Sequence, residues 1–481
     1  MAFGIMSFGA YLPRLRLDRK VLSAANTWFS RGLASQKGER TMAGWDEDPI
    51  TMGVEAARDC LKGFDRAVVE AVHLASTTHP FDDRQNSGVA AEALNLPGSV
   101  ASADLSGSLR AGTSGLISAF AAPGRTTLLI AADKRKAKPA SSQEFAYGDG
   151  AAALLVGEGE PIARLLASAG ESVDFVDHFR SGGSEFDYGW EERWIRDEGY
   201  GKIVPRTVRA VLERAGLGPE AVDHVCMAAT LPRVAELVAK ASGLRPEALR
   251  DNLASRCGDT GVAHPLVLLA HVLESAAPGE RILLIGFGQG CDALLLEVAP
   301  AVASLPRRVG VEGSLARRRP ETNYAKFLAF NDLIPLDRGM RAEVDKGTAL
   351  TALYRNRGTV TGLIGGRCTV CGTLQFPKSK VCVSPNCHSY HSQEDHPFAD
   401  MVGSVMSYTA DMLTYTPDPP QVFGMVQFAE GGRMMMDFAD VDTDALGVGT
   451  PMRMVFRVKD VDSQRGFRRY FWKATPVAGT G

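Results

Sequence analysis

The chain has 481 residues, 53 Lys and Arg against 56 Asp and Glu, a formal charge of -3 and 50 glycines. That length supports two or three domains with ample cores, and the near-balanced charge gives no electrostatic ground for nucleic acid or an anionic membrane as partner. No apolar run approaches the ~20 residues of a membrane span, and the opening MAFGIMSFGAYLP lacks the basic and apolar regions of a signal peptide.

Taken in chain order, the first 300 residues repeat themselves. EAVHLASTTHP (70–80) matches EAVDHVCMAATLP (220–232), and AAPGRTTLLIA (121–131) matches AAPGERILLIG (276–286). A third pair, GDGAAALLVGE (148–158) and GQGCDALLLEV (288–298), follows in the same order. Apolar strands at 72–76, 127–131 and 151–156 alternate with amphipathic helices at 51–62 and 206–215, which predicts layered α/β halves with a mixed sheet. Related by a pseudo-twofold axis, the two halves are expected to bury helices between their sheets.

Residues 302–320 read as a linker or cover strand, and 323–357 as two helices broken at Pro335 and Gly339. Then comes CTVCGTLQFPKSKVCVSPNC, with thiols at Cys368, Cys371, Cys382 and Cys387. A C-x-x-C knuckle followed by Gly372, and a second pair turned by Pro385 and Asn386, present the four thiolates of a closed structural zinc site. Four thiolates leave no coordination position for a reacting water, so the metal is a staple. The other cysteines, Cys60, Cys226, Cys257 and Cys291, suit a reducing cytoplasm. Five alternating runs follow, beginning MVGSVMSYTA, QVFGMVQFAE, GRMMMDFADV, MRMVFRVKDV and FRRYFWKATP, and they suit a small OB-type barrel. The acidic stretches ADVDTDA and KDVD argue against a nucleic-acid face on it.

GIMSFGAYLPR (4–14), WDEDPITMGVEAA (45–57), YGDGAAALLVG (147–157), GDTGVA (258–263) and GFGQGCDALL (286–295) together resemble the thiolase superfamily, in its hydroxymethylglutaryl-CoA synthase and β-ketoacyl-ACP synthase III branch. NYAKFLAFNDLI (323–334) resembles that branch's C-terminal extension, and the remainder resembles the rubredoxin-like zinc ribbon plus OB-fold domain that accompanies many thiolases. The resemblance implies a duplicated α-β-α-β-α domain in halves 1–160 and 161–300. A linker and helical extension (301–360), a zinc ribbon (361–395) and an OB-fold (396–481) would follow. It also implies a coenzyme A thioester as substrate, structural zinc, and a homodimer, with a complex with another acyl-CoA enzyme as a further partner.

The chemistry of that family is not carried over intact. Its nucleophilic cysteine sits at a helix start, where the helix dipole favours a thiolate; the matching position in SGSLRAGTSG is Leu109. Its glutamate falls at Thr77, its histidine at Thr230 and its asparagine at Asp259. Covalent capture at the family position is thereby excluded. Asp259 is the candidate general base, or else a helix cap. Cys257 is a candidate proton donor or displaced nucleophile, or else a small buried residue, and Thr230 is a third catalytic candidate, or else a small polar filler of the site. Tyr147, Tyr188, Tyr200 and Tyr324 are further candidates, whereas His264, five residues beyond Asp259, is expected to point elsewhere. Three functions remain open: an aldolase that makes or breaks a C–C bond β to a thioester, an acyltransferase with a substitute nucleophile, and a non-catalytic acyl-CoA scaffold.

Overall fold

Long apolar segments become strands covered on both faces in the computed structural model, which describes residues 2–33, 37–337, 339–340 and 349–477. The chain forms two compact units: the first runs to residue 331, and the second holds residues 332–481 together with 45–47 and 89–95.

The nine strands of the first unit's large sheet are β1 (Ala2–Tyr11), β2 (Ala71–Ala75), β3 (Ala101–Leu105), β4 (Thr127–Asp133), β5 (Gly150–Gly159), β6 (Ala163–Ser172), β7 (His224–Met227), β8 (Arg281–Phe287) and β9 (Gly290–Val298). Their order is β7-β8-β9-β6-β1-β5-β4-β2-β3, a mixed arrangement whose halves meet at one pair, Ile5 opposite Ala163. All seven residues of β4 are buried, as an apolar run covered on two sides requires. One cover is helix α1 (Pro49–Cys60), which packs on β1, β4 and β5. Asp48 starts it with a capping box to Thr51, and Pro49 stands in the first turn.

Between the halves lie α2 (Ala111–Phe120) and a second central helix. A third helix, α3 (Val204–Ala215), covers β6 and β9 from outside and ends at Gly216 in the left-handed conformation. The second central helix, α4 (His264–Leu273), has every residue buried except His271 and touches β1, β5, β7 and β8. A helix apolar on all sides belongs in the middle of a layered fold. The central helices start against each other: a Cβ on Gly112 would lie 2.7 Å from the carbonyl oxygen of Val262. The layers therefore run α-β-α-β-α, as the repeat implied.

The expected linker at 302–320 is more ordered than its sequence suggests. Its helix Gly310–Ala316 starts on the Asp59 carboxylate, which accepts from the Val309 and Gly310 amides at 2.8 and 2.9 Å. The extension forms the helix Tyr324–Phe330 and, after a gap, Leu350–Arg355 and Arg357–Val360. Part of the second expected helix, 341–348, lies outside the described residues.

The second unit opens with β10 (Ile364–Cys368), β11 (Leu374–Gln375) and β12 (Gln393–Pro397), ordered β11-β10-β12. The five expected barrel strands follow: β13 (Val402–Asp411), β14 (Gln421–Phe428), β15 (Arg433–Asp437), β16 (Pro451–Asp462) and β17 (Phe467–Pro476). They are ordered β15-β14-β13-β16-β17, and a parallel bridge between Phe438 and Ala474 joins the two edges. Two buried cations sit on this barrel. Lys473 meets Asp46 at 2.7 Å, and Arg457, fully buried, meets Asp440 at 2.9 Å and Glu47 at 3.2 Å. Residues 45–47 thus count with the barrel because their acids neutralise its inward charges.

Candidate active site at the paired helix starts

The α2 start replaces a reactive group with a hydrogen-bonded clamp. Leu109 packs against the central apolar core. Ser108 Oγ donates to the Gly288 carbonyl at 2.7 Å, and Arg110 Nε donates to the same oxygen at 3.1 Å. Arg110 also pairs with Asp292 at 2.9 Å, and the other Asp292 oxygen accepts from Thr113 at 3.0 Å and Ser114 at 2.6 Å. The positive end of the helix is met by a fixed internal carboxylate.

Opposite it lies the Gly258–Ala263 turn. Gly258 takes a φ of +78°, and a Cβ there would lie 2.7 Å from the Tyr147 carbonyl oxygen. Asp259 bridges to Tyr147 through its backbone, and its carboxylate does two things at once. One oxygen accepts the Gly261 amide at 2.9 Å, a local turn contact rather than the expected helix cap, since Thr260 takes the N-cap position of the short turn that follows; the other pairs with Arg135 at 2.9 Å. Burial pushes this carboxyl up, but the Arg135 guanidinium, His264 and the Gly261 amide outweigh it and hold Asp259 below the usual carboxylate range. Asp259 is therefore ionised at neutral pH and a weak proton acceptor.

Arg135 lies 3.7 Å over the Tyr147 ring, and Tyr147 donates to Asp187 at 2.9 Å. Arg180 pairs with the other Asp187 oxygen at 2.7 Å and donates to the Thr77 carbonyl. Thr77 in turn donates from its amide and hydroxyl to Asp133 at 2.8 and 3.0 Å, and Asp133 also takes the Val262 amide at 2.9 Å. One network therefore links position 77, the turn at 259–262 and the segment 177–190. On that segment His178 Nδ1 lies 2.6 Å from Asp177. Burial pushes the His178 imidazole down, yet the bond to Asp177 and the charges of Asp177 and Asp187 outweigh it, so its pKa stands above the usual histidine value.

The other residues singled out by sequence make no side-chain hydrogen bond to this network among the described residues, although Tyr200 and His264 lie close enough to feel the Asp259 charge. Cys257 is fully buried, its sulfur donating to the Leu253 and Gly258 carbonyls, and burial pushes its thiol up to about 12. Such a thiol is a core residue with almost no thiolate at neutral pH. Thr230 is exposed on the loop after β7, and no hydrogen bond found among the described residues ties it to Asp259. His264 does point elsewhere: Nδ1 accepts the Thr260 amide at 3.1 Å and Nε2 donates to the Asn252 carbonyl at 2.8 Å. Tyr324 donates to Glu144 at 2.7 Å, Tyr188 is exposed, and Tyr200 is buried in the outer core.

The four ribbon thiols converge, with all four sulfurs within 4.8 Å of one another. Gly372, at φ +75°, turns the knuckle so that its amide donates to the Cys368 carbonyl at 2.8 Å. A set of Cys368, Cys371, Cys382 and Cys387 at that spacing fits tetrahedral zinc, which these residues would hold as a closed structural site.

Central helices that start face to face within a doubled, layered sheet put the first unit in the thiolase-like class. Comparison with known proteins finds likenesses in both units. Residues 212–297 match the C-terminal family model of 3-oxoacyl-[acyl-carrier-protein] synthase III, 362–389 match the ChsH2 rubredoxin-like zinc ribbon domain, and 397–457 match the ChsH2 C-terminal OB-fold domain. The hydroxymethylglutaryl-CoA synthase of Archaeoglobus fulgidus is 29% identical over 339 residues, covering 68% of this chain and 97% of that protein. Its counterpart from Pyrococcus horikoshii is also 29% identical, over 67% of this chain and 94% of that protein. Among solved structures, the synthase III of Pseudomonas aeruginosa superposes with a TM-score of 0.55 at 26% identity, over 62% of this chain and 99% of that one. A hydroxymethylglutaryl-CoA synthase complexed with CoA superposes at 0.59 and 16% identity, over 82% of this chain and all of that one. The chain is a thiolase-like fusion: a synthase-type α/β unit followed by a zinc ribbon and an OB-fold.

Proposed function

We propose that this protein binds coenzyme A thioesters and makes or breaks a C–C bond β to the thioester without an acyl-enzyme, as an aldolase. The reading is carried by Leu109 at the start of α2, where the resemblance to the synthases implies a thiol, with Asp292 closing the helix end. The nearest alternative nucleophile, Cys257, is buried and protonated. A retro-aldol reaction needs a group to take the β-hydroxyl proton and a polar setting for the enolate, and it needs no covalent capture. The network of Asp259, Arg135, Tyr147, Asp187 and Arg180 supplies charge and hydrogen-bond donors beside the helix starts. Asp259 is the acidic group at hand, acting through its charge. The CoA complex of the synthase neighbour supports the thioester as ligand class.

The experiment offers purified protein a panel of β-hydroxyacyl-CoA thioesters and measures released ketone or aldehyde. The reverse condensation is run in parallel, along with intact mass after incubation with acetyl-CoA. Cleavage without an adduct is the expected result. A thioester-linked adduct on Cys257 would support the acyltransferase alternative. A second reading, a non-catalytic acyl-CoA partner of another enzyme, draws on the engagement of Asp259 with both Arg135 and Gly261. It predicts thioester binding with no turnover, and an Asp259→Asn variant that behaves as the parent.

A further inference from the structure

We propose that His178, held by Asp177, is the acid/base group of this site and moves one proton between the β-hydroxyl and the α-carbon of the substrate. The proposal rests on the aldolase reading above and adds to it the residue that carries the proton. Thr230, where the resemblance implies a histidine, is exposed and supplies no imidazole. The segment 177–190 brings one to the network from another direction. It forms a short antiparallel hairpin, His178–Phe179 against Tyr188–Gly189. Two contacts fasten that hairpin to the site: Tyr147 to Asp187, and Arg180 to the Thr77 carbonyl.

The dyad has the geometry of an oriented base. Asp177 holds Nδ1 at 2.6 Å, which fixes the tautomer and leaves Nε2 as the working nitrogen. No hydrogen bond to Nε2 is found among the described residues, and the side chain is 19% exposed, so a ligand can reach it. The second Asp177 oxygen is buried without a hydrogen-bond partner, which leaves the charge of that carboxylate directed at the imidazole. The charges facing His178 are Asp177 beside it and Asp187 and Arg135 from the network; Arg180 and Tyr147 hold Asp187, and Tyr200 lies near Asp177. The acids prevail, so the imidazole's pKa stands above the usual histidine value, whereas the Asp259 carboxyl is held below the usual carboxylate range. A group with a raised pKa is the stronger proton acceptor of the two, and a carboxylate held ionised by Arg135 the weaker.

The step balances with one proton. Neutral His178 takes the β-hydroxyl proton at Nε2. The Cα–Cβ bond breaks, its electron pair passes to the thioester as an enolate, and the β-carbon leaves as a carbonyl compound. The imidazolium then returns the proton to the α-carbon, giving the shortened acyl-CoA. The reverse direction uses the same proton to condense the two.

The test uses the full-length protein with the β-hydroxyacyl-CoA panel, and His178→Gln and Asp177→Asn variants. His178→Gln is expected to lower kcat about 10²-fold or more, the lower end for loss of a general base, with KM within about threefold. The active form is the neutral imidazole, so kcat/KM should rise with pH through the His178 pKa. Removing the Asp177 charge lowers that pKa and should move the rising limb to lower pH. An independent readout needs no turnover: the labelled His178 ring, assigned by His178→Gln among the nine histidines, should shift in NMR spectra on adding acetyl-CoA. Half or more of parent activity in His178→Gln would overturn the proposal. So would a rising limb unmoved in Asp177→Asn, or ring signals unmoved by saturating acetyl-CoA. A ring response without any cleavage would refute the aldolase reading while keeping His178 in the thioester site.

Discussion

Replacing Arg135 with methionine is the perturbation whose consequence the structure sets most tightly. The Arg135 side chain is 2% exposed and that of Asp259 14%, so the pair at 2.9 Å is screened little by solvent. Arg135 donates a second time to the main-chain oxygen of Asp259 at 2.9 Å. Methionine keeps most of the volume but leaves the carboxylate without its cation. Breaking a buried pair in this way costs about 3–5 kcal/mol, a large share of the ~5–15 kcal/mol that holds a domain folded. The assay is amide hydrogen exchange over α4, whose buried backbone opens only when the first unit does. Protection there should fall roughly 10²- to 5 × 10³-fold at neutral pH. In the parent, the Asp259 carboxyl lies below its unfolded value, so its contribution is present above that value and lost as pH falls through the folded pKa. In the variant the same carboxyl, buried and unpaired, lies above its unfolded value, so it destabilises at neutral pH and the penalty disappears as acid protonates it. The difference between parent and variant should thus shrink below about pH 4. A loss under ~1 kcal/mol, of the size expected for an exposed pair, or one that ignores pH, would refute the reasoning.

Leu109→Cys should give a chain that becomes acylated by acetyl-CoA at the introduced thiol even with Asp292 at the helix end, because the thiol would stand at the start of α2 next to the Arg110 guanidinium; mass mapping of the modified peptide checks it. Cys382→Ser should abolish binding of one zinc per chain and unfold the ribbon, since binding energy of a structural zinc is folding energy; metal analysis and near-ultraviolet circular dichroism read both. Lys473→Met should destabilise the second unit by about 3–5 kcal/mol. It takes the nearer cation from Asp46, whose carboxyl the buried Lys473 and, at 3.9 Å, Arg457 hold low against the pull of burial; hydrogen exchange over β16 and β17 measures the loss.

What sequence could show here was whatever is written locally. The zinc thiols lie within twenty positions, so their spacing alone brings them together. The repeat marks its own strands, and the residue at the α2 start can be read off a five-letter turn. The five barrel strands announce themselves by alternation, because each buries one face. The site itself is built from pairings that no local pattern records. Arg135 and Asp259 are 124 residues apart, and Asp46 and Lys473 are 427 apart. Arg457 sits in an alternating strand, where a charge reads as solvent-facing, yet it is fully buried because acids from 45–47 come to it. His178 was equally hidden: SGGSEFDYGW beside it has the composition of a loop, and its importance rests on Arg180 and Asp187 reaching the core. Cys257 shows the converse, a residue type suggestive by chemistry and placed by packing.

The most direct check is a single reaction mixture of this protein with β-hydroxyacyl-CoA thioesters, sampled for small carbonyl products and for the mass of the intact chain. Release of ketone or aldehyde with the protein mass unchanged is the outcome this account predicts. An acyl group retained on the chain during turnover would contradict it.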